Sequence, residues 1–295
     1  MSRIAGNPYL LLALASLFWS GNHIIGRAAA NDVPPFGIAT LRWALPALFL
    51  YPFARQHLVR DWPLIKKQWG ILVLLSLTGG SLFSAFQYLG LRYTTALNVS
   101  VLNSFGPALI AAVAALLFRD RLLPVQMVGI ATSFLGVLII ITKLDVEVAA
   151  NLQLNVGDLL ILFNMVLWGI YSAYLRLMPR IHWLSFTCVL GAVAALGSAP
   201  IMVWEYCVGW RFQPTALTAF TIVYVAIFPS ALAYAAWNRG VEVIGGNRAA
   251  PFLHLVPLYS ALLAYVFLGE RLMTYHLLGF ALILCGLYFA ARSKT

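Results

Sequence analysis

The apolar positions of this chain gather into ten long runs separated by short polar connections, near residues 8–29, 36–55, 69–90, 95–117, 124–142, 157–178, 182–203, 216–238, 246–268 and 274–291. A bilayer core about 30 Å thick takes roughly 20 residues of helix to cross. Each run therefore predicts one membrane-spanning helix, and the chain reads as an all-α integral membrane protein. The first run has the outline of a signal peptide, with Arg3 ahead of it and Ala28-Ala29-Ala30 near its end. Its echo in the run at 157–178 argues for a retained helix instead.

That echo belongs to a repeat. The stretch from Pro107 to Gly136 recurs 150 residues later from Pro257 to Gly286, with Arg121-Leu122 matching Arg271-Leu272, Gly129 matching Gly279 and Gly90 matching Gly240. An offset of 149 places Trp19 on Trp168 and Arg27 on Arg176. A period this long means duplication of a whole half, with units at 1–148 and 149–295, and not a solenoid. Five helices per unit is an odd number, so the second unit must enter the membrane in the opposite sense. The predicted architecture is ten transmembrane helices as two inverted five-helix repeats around a central cavity, the plan in which substrate sites lie near the midplane where helices are interrupted.

Interruptions occur in matching places. Gly79-Gly80 in helix 3 corresponds to Pro229 in helix 8, and Pro107 in helix 4 to Pro257 in helix 9. A proline inside a helix frees a carbonyl one turn earlier, which releases backbone polarity at membrane depth, although such residues also serve as plain kinks and packing points. Residues three or four apart share a helix face, and the faces beside these breaks are polar or aromatic. They offer Ser84, Gln87 and Tyr88 on helix 3, Ser100, Asn103 and Ser104 on helix 4, Tyr234, Trp237 and Asn238 on helix 8, and His254 on helix 9. Helix 1 adds Trp19, Asn22 and His23, and helix 6 adds Trp168 and Tyr171. Tryptophan ordinarily prefers the membrane interface, so two of them at corresponding mid-helix positions favour a lined cavity. A lone histidine is more often a satisfied hydrogen-bonding partner than a proton carrier. Arg42, in the first two turns of helix 2, is expected to snorkel to the outer interface or to pair.

Composition agrees with the runs: 62% of the 295 residues are hydrophobic, 9% are charged, and the mean hydropathy is +0.88. The net charge of +10 raises nucleic acid as a partner, but the basic residues are spread through the short connections between apolar runs, where they set orientation. With a cytoplasmic N-terminus, that side receives Arg3, Arg55, Arg60, Lys66, Lys67, Arg119, Arg121, Arg176, Arg180, Arg239, Arg248, Arg292 and Lys294. The other side receives only Arg27, Arg92, Lys143, Arg211 and Arg271. Both termini are thus expected in the cytoplasm. Three cysteines, two of them inside apolar runs, indicate neither a disulfide framework nor a metal site.

All nine acidic residues fall at helix ends or in connections. Without a midplane carboxylate there is no evident proton or sodium site, and facilitated passage down a gradient fits best. Enzymes are disfavoured too: no helix carries the paired aspartates of a Mg²⁺-dependent transferase, and neither G-x-S-x-G nor H-E-x-x-H occurs. No cofactor is expected.

Five-plus-five inverted helices, the run FGIATLRWA from Phe36 to Ala44, and the stretch from Pro257 through Gly269-Glu270-Arg271-Leu272 to Gly279 and Gly286 resemble the EamA type of the drug/metabolite transporter (DMT) superfamily. The likeness spans essentially the whole chain. The first unit departs by carrying Arg119-Asp120 where the second has Gly269-Glu270, at a helix junction where the change bears on packing. Within the superfamily the chain is most similar to the YddG-type aromatic amino-acid exporters. That resemblance implies a monomeric exporter of neutral or aromatic amino acids in the bacterial inner membrane, working by alternating access on a small-molecule substrate. The same rings would also hold a lipophilic cation by cation–π attraction. The alternative is therefore a multidrug or metabolite efflux carrier, with or without proton coupling.

Overall fold

The computed structural model describes residues 7–94, 99, 102–103, 106–119, 123–142, 144–145, 147, 155–268 and 273–292. Among them run ten helical segments and no strand. They are α1 (Pro8–Ala28), α2 (Pro35–Lys67), α3 (Trp69–Tyr93), α4 (Gly106–Phe118), α5 (Pro124–Thr142), α6 (Val156–Leu177), α7 (Trp183–Cys207), α8 (Ala216–Ile244), α9 (246–268) and α10 (Thr274–Arg292). Local chemistry sets the starts. Asn7 accepts the backbone N–H of Tyr9 and Leu10 ahead of Pro8, Asn155 and Asp158 form a reciprocal capping box on α6, and Thr215 accepts Thr218 N–H on α8.

The clearest departures from the expected runs are in α2 and α9. Helix α2 continues for 12 residues past position 55, because hydropathy marks where lipid ends and not where the backbone stops being helical; Arg55–Lys67 carries the helix into the polar phase. Of the expected run at 95–117 the structure describes 99, 102–103 and 106–117, all helical, and Ser100 and Ser104 lie outside the described residues. Helix α9 is not continuous. A single turn, Gly246–Ala249, passes through 3₁₀ geometry at Ala250–His254 into the α-helix Leu255–Leu268. The break is thus the 3₁₀ turn, and Pro257 occupies the first turn after it, where a missing N–H costs nothing. Pro107 lies within α4. Asp120, Arg121, Glu270 and Arg271 also lie outside the described residues.

The packing partners obey a two-fold relation. Helix α3 packs on α6 and α8 on α1; α4 packs on α6 and α9 on α1; α2 lies against α7 and α5 against α10. Exchanging the halves maps this set onto itself. Single residues obey the same rule: a Cβ on Gly90 would meet Ile161, and one on Gly240 would meet Leu12. A Cβ on Gly136 would strike Gly279 O at 2.6 Å, and one on Gly286 would strike Gly129 O at 2.4 Å. Gly136 and Gly286 let helix backbones touch, the closest packing available where lipid supplies no hydrophobic drive between helices.

The α2–α7 pair is fastened at both ends by carboxylates. Glu205, near the end of α7, accepts the backbone N–H of Phe36 and Gly37 at the start of α2. Asp61, near the end of α2, accepts His182 N–H and the Ser185 hydroxyl at the start of α7, both at 2.8 Å. Each helix thus supplies the charge that satisfies the orphan N–H groups and the positive dipole end of the other.

Candidate functional site

The expected helix breaks are π-helical turns. Leu77–Ser81 interrupts α3 at Gly79-Gly80, and Ala226–Leu232 interrupts α8 at Pro229. A π-turn widens the helix and aims carbonyls sideways. Side chains from other helices take them. Tyr234 hydroxyl donates to Gly79 O, and Pro229 O accepts both the Trp19 indole N–H (3.0 Å) and the Arg42 guanidinium (3.5 Å). The backbone polarity expected at the breaks is therefore present, and each break is bound by the protein's own side chains.

Around these turns lies a cluster of rings from both halves. Trp19 of α1 meets Trp168 of α6 edge-on at 5.2 Å between centroids, Tyr234 at 5.9 Å and Trp237 at 5.4 Å, the last two from α8. Trp168 also meets Tyr171 at 5.1 Å, and Tyr171 meets Tyr234 at 5.8 Å. Trp19 and Trp168 are 8% and 2% exposed, so they face inward and not the acyl chains. In this conformation the rings close on one another. Among the described residues the indole N–H groups of Trp168 and Trp237 and the Ser172 hydroxyl have no hydrogen-bond partner. Buried donors of this kind are rare and expensive. A separate apolar pocket of about 200 Å³, lined by Pro34, Met202, Tyr206, Trp210 and Phe212, lies at the periphery, away from the rings.

The expected polar residues assemble beside the rings in two groups. In the first, Arg42 donates to Tyr88 hydroxyl (3.3 Å), and Tyr88 donates to Asn22 Oδ1 (2.8 Å). His23 Nε2 pairs with Asn103 Nδ2 at 3.3 Å, leaving His23 Nδ1 and Asn103 Oδ1 unmatched among the described residues. In the second, Asn164 donates to Gln87 Oε1 (3.0 Å), and Trp43 N–H donates to Ser84 Oγ (2.9 Å). His254 is fully buried in the 3₁₀ turn of α9.

Three residues of this assembly were not expected from sequence. Trp43 stacks edge-on against Tyr234 at 4.7 Å, and Asn164 joins Gln87 from α6. Arg42 is the larger correction. It neither snorkels nor forms an ion pair among the described residues; it is 1% exposed, held between the rings of Trp43 and Tyr88. The signal was available, since an arginine in an apolar run with no midplane acid to meet is a functional candidate by default.

Known proteins resemble the chain over most of its length. The chain is 27% identical over 290 residues to an uncharacterized transporter of Archaeoglobus fulgidus, covering 97% of this chain and 98% of that one. It is 26% identical to the uncharacterized transporter YyaM of Bacillus subtilis, over 97% and 93% of the two chains. A probable terminal-alkyne amino-acid exporter of Streptantibioticus cattleyicolor is 28% identical over 75% of this chain and 73% of that protein. One solved crystal structure superposes with a TM-score of 0.74 over 96% of each chain at 19% identity, which establishes the fold alone. The family model described as EamA-like transporter matches residues 7–142 and 155–292, nearly the whole described chain in two successive copies. With its apolar helices and this match, the protein is a multi-pass membrane transporter for a small-molecule substrate and belongs to the EamA-like transporter family.

Proposed function

We propose that this transporter exports neutral or aromatic amino acids by facilitative alternating access. The units 1–148 and 149–295 rock about the ring cluster, in a monomer of the bacterial inner membrane with both termini cytoplasmic. Trp19, Asn22, His23, Ser84, Gln87, Tyr88, Asn103, Trp168, Tyr171, Tyr234, Trp237 and His254 line the path. Gly79, Gly80, Pro107, Pro229 and Pro257 mark the flexible joints.

The observation that carries this reading is the pair of unmatched indole N–H groups, on Trp168 and Trp237, inside a shell of rings drawn from α1, α6 and α8. Such a shell stacks a flat apolar side chain, and its spare donors meet a polar group on the same molecule. The Streptantibioticus relative, named as a probable amino-acid exporter, points the same way. No acidic side chain joins the cluster among the described residues, which favours passage without a coupled proton.

Vesicles loaded with labelled phenylalanine test the reading. Efflux should exceed that from protein-free vesicles without a pH gradient. Trp168→Phe keeps a ring but removes the N–H, and should lower the rate about tenfold. No efflux from correctly folded protein rejects the substrate class. Movement of a lipophilic cation alone, and only under a pH gradient, replaces it with the multidrug reading.

A further inference from the structure

Arg42 is the one charged side chain described among the large, fully buried ones, and its surroundings are neutral. Its Nε donates to Ser230 Oγ at 2.8 Å, one terminal nitrogen to Tyr88 hydroxyl at 3.3 Å, and the other to Pro229 O at 3.5 Å. The donor–acceptor order is consistent throughout. Ser230 hydroxyl passes its own proton to Val225 O, and Tyr88 passes its proton to Asn22 Oδ1, so both oxygens are free to accept from Arg42. A guanidinium carries five N–H donors. Three have partners here, which leaves one N–H on each terminal nitrogen without one among the described residues.

A guanidinium withdrawn from water is ordinarily paired with an anion, because neutral acceptors do not replace its hydration. The described ion pairs are Arg60–Asp61 and Arg239–Glu242, both elsewhere. Arg42 also adjoins the ring cluster. Trp19 and Arg42 share one acceptor, Pro229 O, and Trp43 at 5.6 Å from the guanidinium packs on Tyr234. A molecule whose ring enters the cluster therefore brings its other end within reach of the remaining guanidinium donors.

We propose that Arg42, pre-oriented by Ser230, Tyr88 and Pro229, is the anion-binding residue of the site, and that the molecules carried bear a carboxylate. Two donors on adjacent nitrogens match the two oxygens of a carboxylate, and the bound anion supplies the missing counter-charge. Amines and quaternary cations lacking an acid group are excluded by the same buried charge. The assignment rests on reading the ring-lined centre as the substrate path. It concerns which end of the substrate is recognised and needs no midplane acid.

The test compares four probes that differ only at the charged ends: phenylalanine, phenylalanine amide, phenethylamine and 3-phenylpropionate. Each competes against labelled phenylalanine in vesicle efflux, and each is titrated on purified protein by quenching of tryptophan fluorescence. The expected ranking keeps 3-phenylpropionate within about tenfold of phenylalanine and places the amide and the amine at least about 30-fold weaker. Arg42→Gln should lose the preference for the acid, and Arg42→Lys should restore part of it. The ranking on the unaltered protein stands as a test even where the variants fail to fold.

If phenylalanine is exported but the amide competes as well as the acid, Arg42 is structural and the inference falls while the export reading survives. If phenylalanine does not move, yet 3-phenylpropionate binds in an Arg42-dependent manner, the export reading falls and the inference survives. Absence of binding by all four probes overturns both.

Discussion

Substituting Gly79 by alanine tests the geometry of the site at its tightest point. A Cβ built on Gly79 lies 2.2 Å from Tyr171 Cδ2 and 2.6 Å from both Cγ and Cε2, whereas ordinary contact begins near 3.4 Å. The ring would have to retreat by 3.4 − 2.2 = 1.2 Å. It has nowhere to go. Tyr171 is wholly buried, backed by Trp168 at 5.1 Å and Tyr234 at 5.8 Å, and its hydroxyl is tied to Asn238 Oδ1 at 2.5 Å. Overpacking of this kind costs about 1–3 kcal/mol. Because Tyr234 also holds Gly79 O, the displacement spreads through the ring cluster. Gly70 provides the control. It lies in the same helix with nothing within 4 Å of its Cβ position, so Gly70→Ala should be neutral or stabilising by about 0.5–1 kcal/mol. Thermal unfolding in detergent and efflux from vesicles are measured for both. Tyr171→Ala is added to close a double-mutant cycle, in which removal of the ring should recover about 1 kcal/mol or more of the Gly79→Ala loss. Should Gly79→Ala behave like Gly70→Ala in both assays, the close approach of ring and π-turn described above is wrong.

Two further predictions concern the α2–α7 pair. Asp61→Asn and Glu205→Gln each replace a charged cap by a neutral one and should each cost about 1–2 kcal/mol, read as a lowered unfolding midpoint; unchanged midpoints for both would mean the clasps do not hold the pair. The Asp61 end should also respond to pH. His182 stacks on His57 at 3.6 Å, and its Nδ1 accepts Leu184 N–H, an interaction that a protonated ring cannot make. Burial, then the neighbouring His57 and Arg60, hold its pKa below the usual histidine value. A depressed pKa gives stability that is complete above about pH 6.5 and is lost as pH falls through the lower folded value. Unfolding midpoints measured from pH 7.5 to 5 should fall in the parent and stay flatter in His182→Asn, which caps without titrating. Parallel curves would refute this.

Much of the fold was legible because lipid imposes a plain rule on sequence: about 20 apolar residues per crossing, polar residues at the ends. Pro124–Thr142 matches its expected run residue for residue, and Pro8–Ala28 matches to within one. The repeat was legible because glycines recur where helices pack most closely, Gly90 with Gly240 against side chains and Gly136 with Gly286 against backbone. What stayed hidden depended on tertiary partners. Asp61 and Glu205 were visible as acids near helix ends, but nothing local says that each caps the other's helix 121 and 169 residues away. Gly79 and Pro229 announced breaks without revealing that both would be π-turns, whose carbonyls find partners on other helices. Arg42 was misjudged because its place near a helix start suggested the interface, while the crossing of α2 with α3 and α8 carries that turn inside.

The duplication also explains why the two sides of the centre differ in chemistry. Contacts that bring helices together are matched across the halves, and so are Trp19 and Trp168, but the rest of the lining is not. With the offset of 150, Tyr234 and Trp237 of α8 correspond to Ser84 and Gln87 of α3. The first pair builds the ring cluster; the second turns to Trp43 and Asn164 through hydrogen bonds. Arg42 has no charged counterpart either, since α7 is uncharged from Trp183 to Trp204. An exact two-fold would offer a substrate two equivalent poses. Under the export reading proposed above, this asymmetry within the lining gives a molecule with an apolar end and a polar end one preferred orientation.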